Sequence, residues 1–406
     1  MGVRNRTGGM TMLTMEMIRD AQAALQGVAR RTPLERAPKL GLYIKAENLQ
    51  LTGAFKLRGA YNKIRSLTPE EARRGVIACS AGNHAQGIAL SAAKLGIRSI
   101  ICMPAGAPIS KVEATRSYGA EVVLVPGVYD DAAREAERLT AEHGYTFAHP
   151  FNDPYVMAGQ GTIGLEILEQ LPQAEQIVVP IGGGGLIGGV AFAVKHLKPS
   201  CRVIGVQAAG AASMVASLEA GHPVELSSVA TIADGIAVKR PGDLTYELCA
   251  KYVDEVVTVT EDEIASAILA LMEEQKTVAE GAGATTVAAC MFGKVDCSKT
   301  TVCLVSGGNV DVTTLSRVIT KGLSKAGRIV ELTTKVPDKP GGLLQMLRVV
   351  ADSGANILTV NHAREDSHSE VAACIVTMVL ETRNPEHVRQ IETALRQAGF
   401  PLNEDV

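Results

Sequence analysis

Short apolar runs alternate with amphipathic stretches through the first three quarters of the chain. The apolar runs predict strands at 75–79, 99–103, 120–125, 176–180, 202–206 and 301–305. The stretches between them predict helices that include 85–95, 110–118, 129–143, 160–171 and 261–275. Such alternation predicts a doubly wound α/β fold with parallel sheets. Functional sites in such folds lie at the carboxyl ends of the strands.

The pattern changes after Gly327. It then predicts a strand, a helix, a pair of strands, a second helix and a short final strand, at 328–336, 342–353, 355–365, 370–381, 385–398 and 401–402. This order is that of a ferredoxin-like α+β module. We therefore expect one domain over residues 1–325 and a separate one over 326–406.

An uncharged run from Ile177 to Val194 has the length of a membrane span. It contains Pro180 and six glycines. A strand, a glycine loop and a helix from Ile187 explain it better, since buried parallel strands also read as continuous apolar sequence. We expect no membrane association.

Composition changes this picture little. The 406 residues are 46% hydrophobic and 20% charged, with a net charge of −3, which is enough apolar material for two packed cores. No dominant basic block is present, so nucleic acid is not an expected partner. The eight cysteines form no C-x-x-C pair, and the N-terminus lacks a signal-peptide pattern. These features favour a cytoplasmic protein that acts on small molecules.

Three distant segments suit one cofactor, pyridoxal phosphate. A Schiff-base lysine needs a pocket, and Lys56 lies between Phe55 and Leu57, although such a lysine is by itself more often a surface residue. Gly182, Gly183, Gly184 and Gly185 follow a strand and precede a helix, so their amides can cradle a phosphate; a flexible turn is the alternative. Ser306 follows the strand 301–305. If its hydroxyl faces the ring nitrogen of the cofactor, that neutral group would not hold the nitrogen protonated. The ring would then be a weaker electron sink, which favours β-elimination over transamination.

A further segment follows the strand 75–79. Ser80, Ala81 and Gly82 stand at the start of a helix, where backbone N–H groups can bind an amino acid carboxylate. The Asn83 amide can reach the phenolic oxygen of the cofactor. Simple N-capping of the helix is the alternative. His84, taken by itself, indicates a structural residue and not a catalytic one.

Together these segments resemble the fold-type II pyridoxal enzymes, most closely the threonine/serine dehydratases, which are threonine ammonia-lyases. The resemblance covers about residues 15–320. Its motifs are S-F-K-x-R-G at 54–59 with Ala54 in place of Ser, S-A-G-N-H-A-Q-G at 80–87, A-G-Q-G-T at 158–162, G-G-G-G-L at 182–186, T-I-A-D-G at 231–235 and S-G-G-N at 306–309. It implies two parallel-sheet lobes like those of the tryptophan synthase β subunit, with a smaller lobe at about 45–148 inserted in the larger.

The resemblance also implies residue roles. Lys56 would hold the cofactor and remove the Cα proton, and Phe55 would lie near the ring. The remaining contacts would be Gly182 to Leu186 with the phosphate, Asn83 with the phenolic oxygen, Ser306 with the ring nitrogen, and Ser80, Ala81, Gly82, Asn83, His84 and Gly235 with the substrate. L-Threonine would give 2-oxobutanoate and ammonia, and L-serine would give pyruvate. The stretch 149–153 is a candidate wall of the substrate pocket.

Two departures separate the chain from serine racemases of this fold. Those enzymes carry a second serine where this chain has Ala81, so efficient racemisation is not expected. Their divalent-metal site uses acidic residues where this chain has Gln207 and then mainly alanines, so no divalent metal is predicted. A monovalent cation near the phosphate is left open. Racemisation, β-replacement and a non-catalytic amino acid sensor are the alternatives to ammonia-lyase activity.

The segments 336–343 and 354–357 resemble a single ACT regulatory domain. Gly341 and Gly342 would lead into a helix N-terminus that can bind an amino acid carboxylate, and Asn356 would contact the ammonium. A module that only dimerises is the alternative, because edge strands favour pairing with another chain. The resemblance further implies a homodimer or homotetramer.

Overall fold

The computed structural model describes residues 12–364 and 372–402. The chain forms two compact units that divide between Asp311 and Val312. The helix over 312–325 belongs to the second unit, whereas the change of pattern in the sequence comes after it. The ends of two predicted strands, at 365 and 370–371, lie outside the described residues.

The first unit contains a six-stranded sheet in the order β1-β2-β10-β7-β8-β9. Its strands are β1 (Leu34–Ala37), β2 (Leu42–Ala46), β7 (Gln176–Pro180), β8 (Arg202–Ala208), β9 (Glu255–Val259) and β10 (Thr301–Val305). β1 pairs antiparallel with β2, and every other pairing is parallel.

A second, four-stranded sheet of this unit has the order β5-β4-β3-β6 and is parallel throughout. Its strands are β3 (Val76–Cys79), β4 (Ser99–Pro104), β5 (Glu121–Val125) and β6 (Thr146–Phe147). In sequence these strands all lie between β2 and β7. The smaller sheet is therefore an insertion within the chain that builds the larger one.

Helices connect the strands, as a mixed α/β fold with parallel sheets requires. They are α1 (Met15–Ala24), α2 (Lys56–Arg65), α3 (Pro69–Arg74), α4 (Asn83–Lys94), α5 (Ile109–Ser117), α6 (Tyr129–His143), α7 (Pro154–Gln170), α8 (Gly185–Leu197), α9 (Ser213–Ala220), α10 (Asp243–Tyr252), α11 (Glu261–Gln275) and α12 (Gly281–Met291). Short 3₁₀ helices lie at Glu47–Leu49, Ala209–Ala211 and Asp234–Ile236.

Each strand predicted in this unit is present, but the sequence reading overlooked β1, β2, β6 and β9. β1 and β9 are the edges of the larger sheet and contain partly exposed or charged positions, which weaken an apolar pattern. The helix predicted at 160–171 begins earlier, at Pro154. The Asp153 carboxylate caps it by accepting from the backbone N–H groups of Tyr155 and Val156 at 2.8 and 3.2 Å.

The uncharged run 177–194 forms the buried strand β7, a glycine turn and the buried helix α8, as predicted. Residues of both elements belong to one apolar core with β8 and β10. No helix within residues 12–364 and 372–402 is long and apolar enough to cross a membrane.

A buried network of charges joins four elements of the first unit. The Arg58 guanidinium on α2 contacts Glu47 at 2.8 Å and Glu166 of α7 at 2.6 Å. Lys45 of β2 donates to Glu166 at 2.6 Å and to the Thr32 carbonyl at 2.8 Å. Two positive and two negative side chains thus compensate one another away from water, which buried charges require.

The second unit begins with α13 (Val312–Lys325) and continues as β11 (Ile329–Pro337), α14 (Gly342–Asp352), β12 (Asn356–Ala363), β13 (Ala373–Glu381) and α15 (Pro385–Gln397). Its antiparallel sheet has the order β11-β13-β12, and Leu402 bridges to Thr334 as the short final strand. This is the predicted ferredoxin-like α+β module, consistent with an ACT-like domain. Its core includes Met346, Met378 and Leu395.

Replacement of Glu166 by alanine would leave Arg58 and Lys45 with uncompensated buried charge. We expect Glu166→Ala to lower the free energy of unfolding by about 3–5 kcal/mol, measured by urea denaturation followed by circular dichroism. Glu169→Ala is the matched control, because Glu169 lies one turn further along α7 in an exposed pair with Arg31. Its expected cost is below about 1 kcal/mol, and equal costs would contradict the role given to the network.

Candidate active site

The carboxyl ends of three parallel strands open onto one cavity of about 870 Å³ in the first unit. β3 is followed there by Ser80, β7 by the glycine turn, and β10 by Ser306. The strands come from both sheets, so the cavity is built by the larger sheet and by its insertion. Its size lies within the roughly 300–1,000 Å³ typical of small-molecule sites.

The cavity gathers the residues that the sequence singled out for catalysis, cofactor and substrate. They are Phe55, Lys56, Ser80, Ala81, Gly82, Asn83, His84, Gly182, Gly183, Gly184, Gly185, Leu186, Gly235 and Ser306. Of the candidate wall, Pro150 and Phe151 line the cavity, whereas Asp153 caps α7 and binds Lys63 at 2.7 Å. Gly341, Gly342 and Asn356 belong to the second unit.

Lys56 is the first residue of α2 and is partly buried. Its Nζ donates to the Pro150 carbonyl at 2.9 Å and lies 5.3 Å from the centre of the Phe55 ring. Burial lowers the pKa of Lys56 to about 8, and the Glu280 carboxylate opposes this shift. A measurable fraction of the amine is therefore unprotonated near neutral pH, as a nucleophile or base requires.

The glycine turn after β7 is built for close approach. A Cβ on Gly183 would stand 2.4 Å from the Phe151 ring, and Gly184 has a φ of +91°, which side chains other than glycine rarely adopt. The turn leads directly into α8, whose first N–H groups have no acceptor within the helix. These amides at a helix N-terminus form an anion site that a side chain would block.

The lysine segment and the serine segment are directly joined. The Phe55 N–H donates to the Ser306 carbonyl at 3.1 Å, and Ala54 forms a bridge with Gly307. Ser306 is 2% exposed, and it lines the same cavity. The backbone segments that carry the Ser306 hydroxyl and the Lys56 amine are thus hydrogen-bonded to each other.

Two histidines near Lys56 are held neutral. Burial lowers the pKa of His84 to about 3, with the nearby Lys56 adding to the effect, and its Nε2 lies 2.8 Å from the Ala148 carbonyl. Burial lowers the pKa of His149 to about 4, and its Nδ1 accepts from the backbone N–H groups of Phe151 and Asn152. Both side chains have structural hydrogen bonds, which leaves proton transfer to other groups.

Sequence reasoning missed Glu280, which lines the cavity and is 4% exposed. Burial raises its pKa to about 7, with a contribution from Asp234, against the hydrogen bond from Asn83. It also gave no role to Asn309 of the S-G-G-N motif, whose amide donates to Asn83 at 2.8 Å. In the sequence, Glu280 is marked only by its position as a lone acidic residue just before a helix of small residues.

A second polar contact at the cavity was also overlooked. Lys111 of α5 forms an ion pair with Asp234 of a 3₁₀ helix at 2.7 Å, and both residues line the cavity. The sequence indicates Asp234 only as part of the T-I-A-D-G motif. The pair joins the insertion to the larger part of the unit across the cavity.

The arrangement fits pyridoxal phosphate. An amine with a lowered pKa, an amide cradle that excludes side chains, a buried hydroxyl and an oriented carboxamide converge on one cavity. The amine can hold an aldehyde, and the cradle can hold a phosphate. If Ser306 faces the ring nitrogen, its hydroxyl can form a hydrogen bond with that nitrogen without a charged side chain.

Comparisons with known proteins agree with this site. Residues 25–307 match the family described as pyridoxal-phosphate dependent enzyme. The chain is 50% identical to the L-threonine ammonia-lyase of Thermotoga maritima, over 96% of this chain and 99% of that protein. The chain also resembles solved structures. The processed threonine deaminase isoform 2 of Solanum lycopersicum is 40% identical with a TM-score of 0.71, covering 77% of this chain and 95% of that one. Maize serine racemase is 37% identical with a TM-score of 0.72, covering 78% and 99%.

A methyl group at Gly183 would collide with Phe151 and close the cradle. We expect Gly183→Ala to weaken pyridoxal phosphate binding by at least about tenfold, which corresponds to roughly 1.4 kcal/mol. The measurement is a cofactor titration of the stripped protein by absorbance. Gly106→Ala is the control, because a Cβ there meets nothing within 4 Å. Unchanged affinity in Gly183→Ala would show that the turn does not hold the phosphate.

Proposed function

Because this chain belongs to the family of pyridoxal-phosphate dependent enzymes, we propose that it is an L-threonine ammonia-lyase. It converts L-threonine to 2-oxobutanoate and ammonia, and L-serine to pyruvate as a secondary reaction. The observation that carries this function is the cavity that unites Lys56, the glycine turn and Ser306, in a chain 50% identical over 96% of its length to an L-threonine ammonia-lyase.

The residues have distinct tasks toward the cofactor. Lys56 would hold it through its amine, the amides of Gly182 to Leu186 its phosphate, Asn83 its phenolic oxygen and Ser306 its ring nitrogen, with Phe55 beside the ring. When bound, pyridoxal phosphate supplies an electron sink that makes the Cα proton of the amino acid acidic.

Lys56 is the base of the reaction. Once the substrate amine has displaced it, its nitrogen is free to take the Cα proton, and its lowered pKa keeps it unprotonated in part of the molecules. The β-hydroxyl leaves as water. It gains one proton while Lys56 takes one from Cα, so the elimination releases no net proton. The released aminocrotonate takes up water and loses ammonia, so the sum is threonine to 2-oxobutanoate and ammonia.

Ser80, Ala81, Gly82, Asn83 and His84 bind the substrate carboxylate at the start of α4, together with Gly235. All of them line the cavity. The N–H groups of Ser80 and Gly82 donate to the Cys102 carbonyl and to Ser80 Oγ, so the amides of Asn83 and His84 in the first turn of α4 are the ones that would receive the carboxylate. Ala81 brings no hydroxyl to the cavity. Proton exchange on the face opposite Lys56 therefore lacks a donor at this position, which favours elimination over racemisation despite the likeness to maize serine racemase.

Residues 1–325 are the catalytic domain in this proposal, with a smaller lobe at about 45–148, and residues 326–406 are an ACT-like regulatory domain. The enzyme works in the cytoplasm as a homodimer or homotetramer. All eight cysteines are free thiols, which suits a reducing compartment.

Loss of the Lys56 amine would remove the base and the covalent attachment. We expect Lys56→Ala to lower 2-oxobutanoate formation from L-threonine by at least ~10²–10⁴-fold, measured in a coupled assay of 2-oxo acids. Lys39→Ala, at an exposed lysine, is the control. If Lys56→Ala formed oxo acid at the original rate, that result would contradict the role assigned to Lys56. Formation of D-serine from L-serine by the unaltered protein would support the racemase alternative.

The ACT-like domain binds an amino acid effector in this proposal. Gly341 has a φ of +87° and caps α14. The N–H of Gly342 donates to the Lys339 carbonyl at 3.1 Å, so the amides that follow it in the first turn would receive the carboxylate. Asn356, at the start of β12, donates to Glu381 at 3.2 Å, and this polar pair would receive the ammonium. Isoleucine, valine, serine and threonine are the candidates.

Asn356→Ala would remove one polar contact with the effector ammonium. We expect it to weaken L-isoleucine or L-valine binding by roughly tenfold or more, measured by calorimetry. Asn361→Ala is the matched control, as an exposed asparagine on the same strand. If none of the four candidate amino acids gives heat attributable to this domain and neither isoleucine nor valine changes the threonine saturation curve, the domain has another role, such as dimerisation.

A further inference from the structure

Glu280 stands apart from the other carboxylates of the cavity. Asp130, Glu225 and Asp234 also line it, and all three are exposed. Glu280 is buried at the N-cap of α12, and its backbone N–H donates to the Gly307 carbonyl at 3.0 Å. A buried carboxyl is costly unless it is paired, so its surroundings call for an explanation.

The first contact of Glu280 sets the orientation of Asn83. The Asn83 Nδ2 donates to Glu280 Oε1 at 2.8 Å, and the Asn83 Oδ1 accepts from Asn309 Nδ2 at the same distance. Asn309 is itself anchored, because its Nδ2 also donates to the Thr52 carbonyl at 2.7 Å. An amide group has two N–H donors, so one N–H of Asn83 is left for a ligand in the cavity.

The second effect of Glu280 is electrostatic. Glu280 and Lys56 line the same cavity, and the Glu280 carboxylate raises the pKa of Lys56 against the burial that lowers it. The other charged groups that act on Glu280 are Asp234 and Lys111, which are joined in their own ion pair. A Cβ on Gly307 would stand 2.4 Å from Glu280 Oε1, so the first glycine of the S-G-G-N motif makes room for this carboxyl.

We propose that Glu280 is a positioning residue that fixes the Asn83 amide toward the phenolic oxygen of pyridoxal phosphate and, when ionised, stabilises positive charge at the Lys56 nitrogen. The inference rests on the proposed function, since it assumes that the cavity binds this cofactor. It adds a role for a residue outside the motifs and explains why Asn309 and Gly307 belong to one of them.

Two variants separate the hydrogen bond from the charge. Glu280→Gln keeps an acceptor for Asn83 and loses the charge, whereas Glu280→Asp keeps the charge and withdraws the acceptor by one methylene. Asp234→Asn is the matched control, because it removes the same charge from an exposed carboxylate of the cavity. Circular dichroism melting identifies any variant that does not fold.

The readout is the visible absorption of the bound cofactor, titrated with pH in the absence of substrate. Loss of the carboxylate removes stabilisation of the protonated nitrogen at Lys56, so in Glu280→Gln the midpoint should fall by about one pH unit. In Glu280→Asp the midpoint should stay near that of the unaltered protein while the cofactor binds at least about tenfold more weakly. Asp234→Asn should shift the midpoint by less than half as much as Glu280→Gln.

The outcomes are distinct. An unchanged midpoint in Glu280→Gln overturns the electrostatic role, and unchanged cofactor affinity in Glu280→Asp overturns the positioning of Asn83. If Glu280→Gln does not fold, Glu280→Asp and Asn309→Ala still test the positioning, and both should weaken cofactor binding. A protein that binds the cofactor but forms no oxo acid from threonine would contradict the proposed function and leave this inference testable.

Discussion

The first unit depends on the compensation of four buried charges. Arg58 lies two residues after Lys56 on α2, and its guanidinium is held by Glu47 and Glu166. Burial alone would disfavour its charge, but Glu47 and Glu166 raise the pKa of Arg58 above its usual value. Because Glu166 also holds Lys45 of β2, the network fixes the start of α2 against the larger sheet and α7. The position of the Lys56 amine follows from that arrangement.

In the cavity, the same removal of water acts on groups whose hydrogen-bond partners are neutral. Lys56 donates to the Pro150 carbonyl, and Glu280 accepts from the Asn83 amide. Neutral partners compensate burial less than opposite charges do, so the pKa of Lys56 falls to about 8 and that of Glu280 rises to about 7. One physical effect thus stabilises the scaffold where charges are paired and tunes reactivity where they are not.

The strands that carry the site were predictable, because β3, β7 and β10 are buried and read as continuous apolar runs. The edge strands β1 and β9 were not, since partly exposed strands lack such a pattern. Prediction of the site was similarly divided. Lys56, the glycine turn and Ser306 stand in distinctive local sequence and line the cavity as expected, whereas Glu280 has no motif of its own.

The sequence by itself determined the class of fold, the family and the segments that form the site, because periodicity and local motifs are encoded within short stretches of chain. Only the tertiary structure decided how Asn83, Asn309 and Glu280, separated by up to 226 residues, form one hydrogen-bonded chain. It also decided the protonation of Lys56 and Glu280. Burial and the field of distant charges set a pKa, and both arise only when remote parts of the chain pack together.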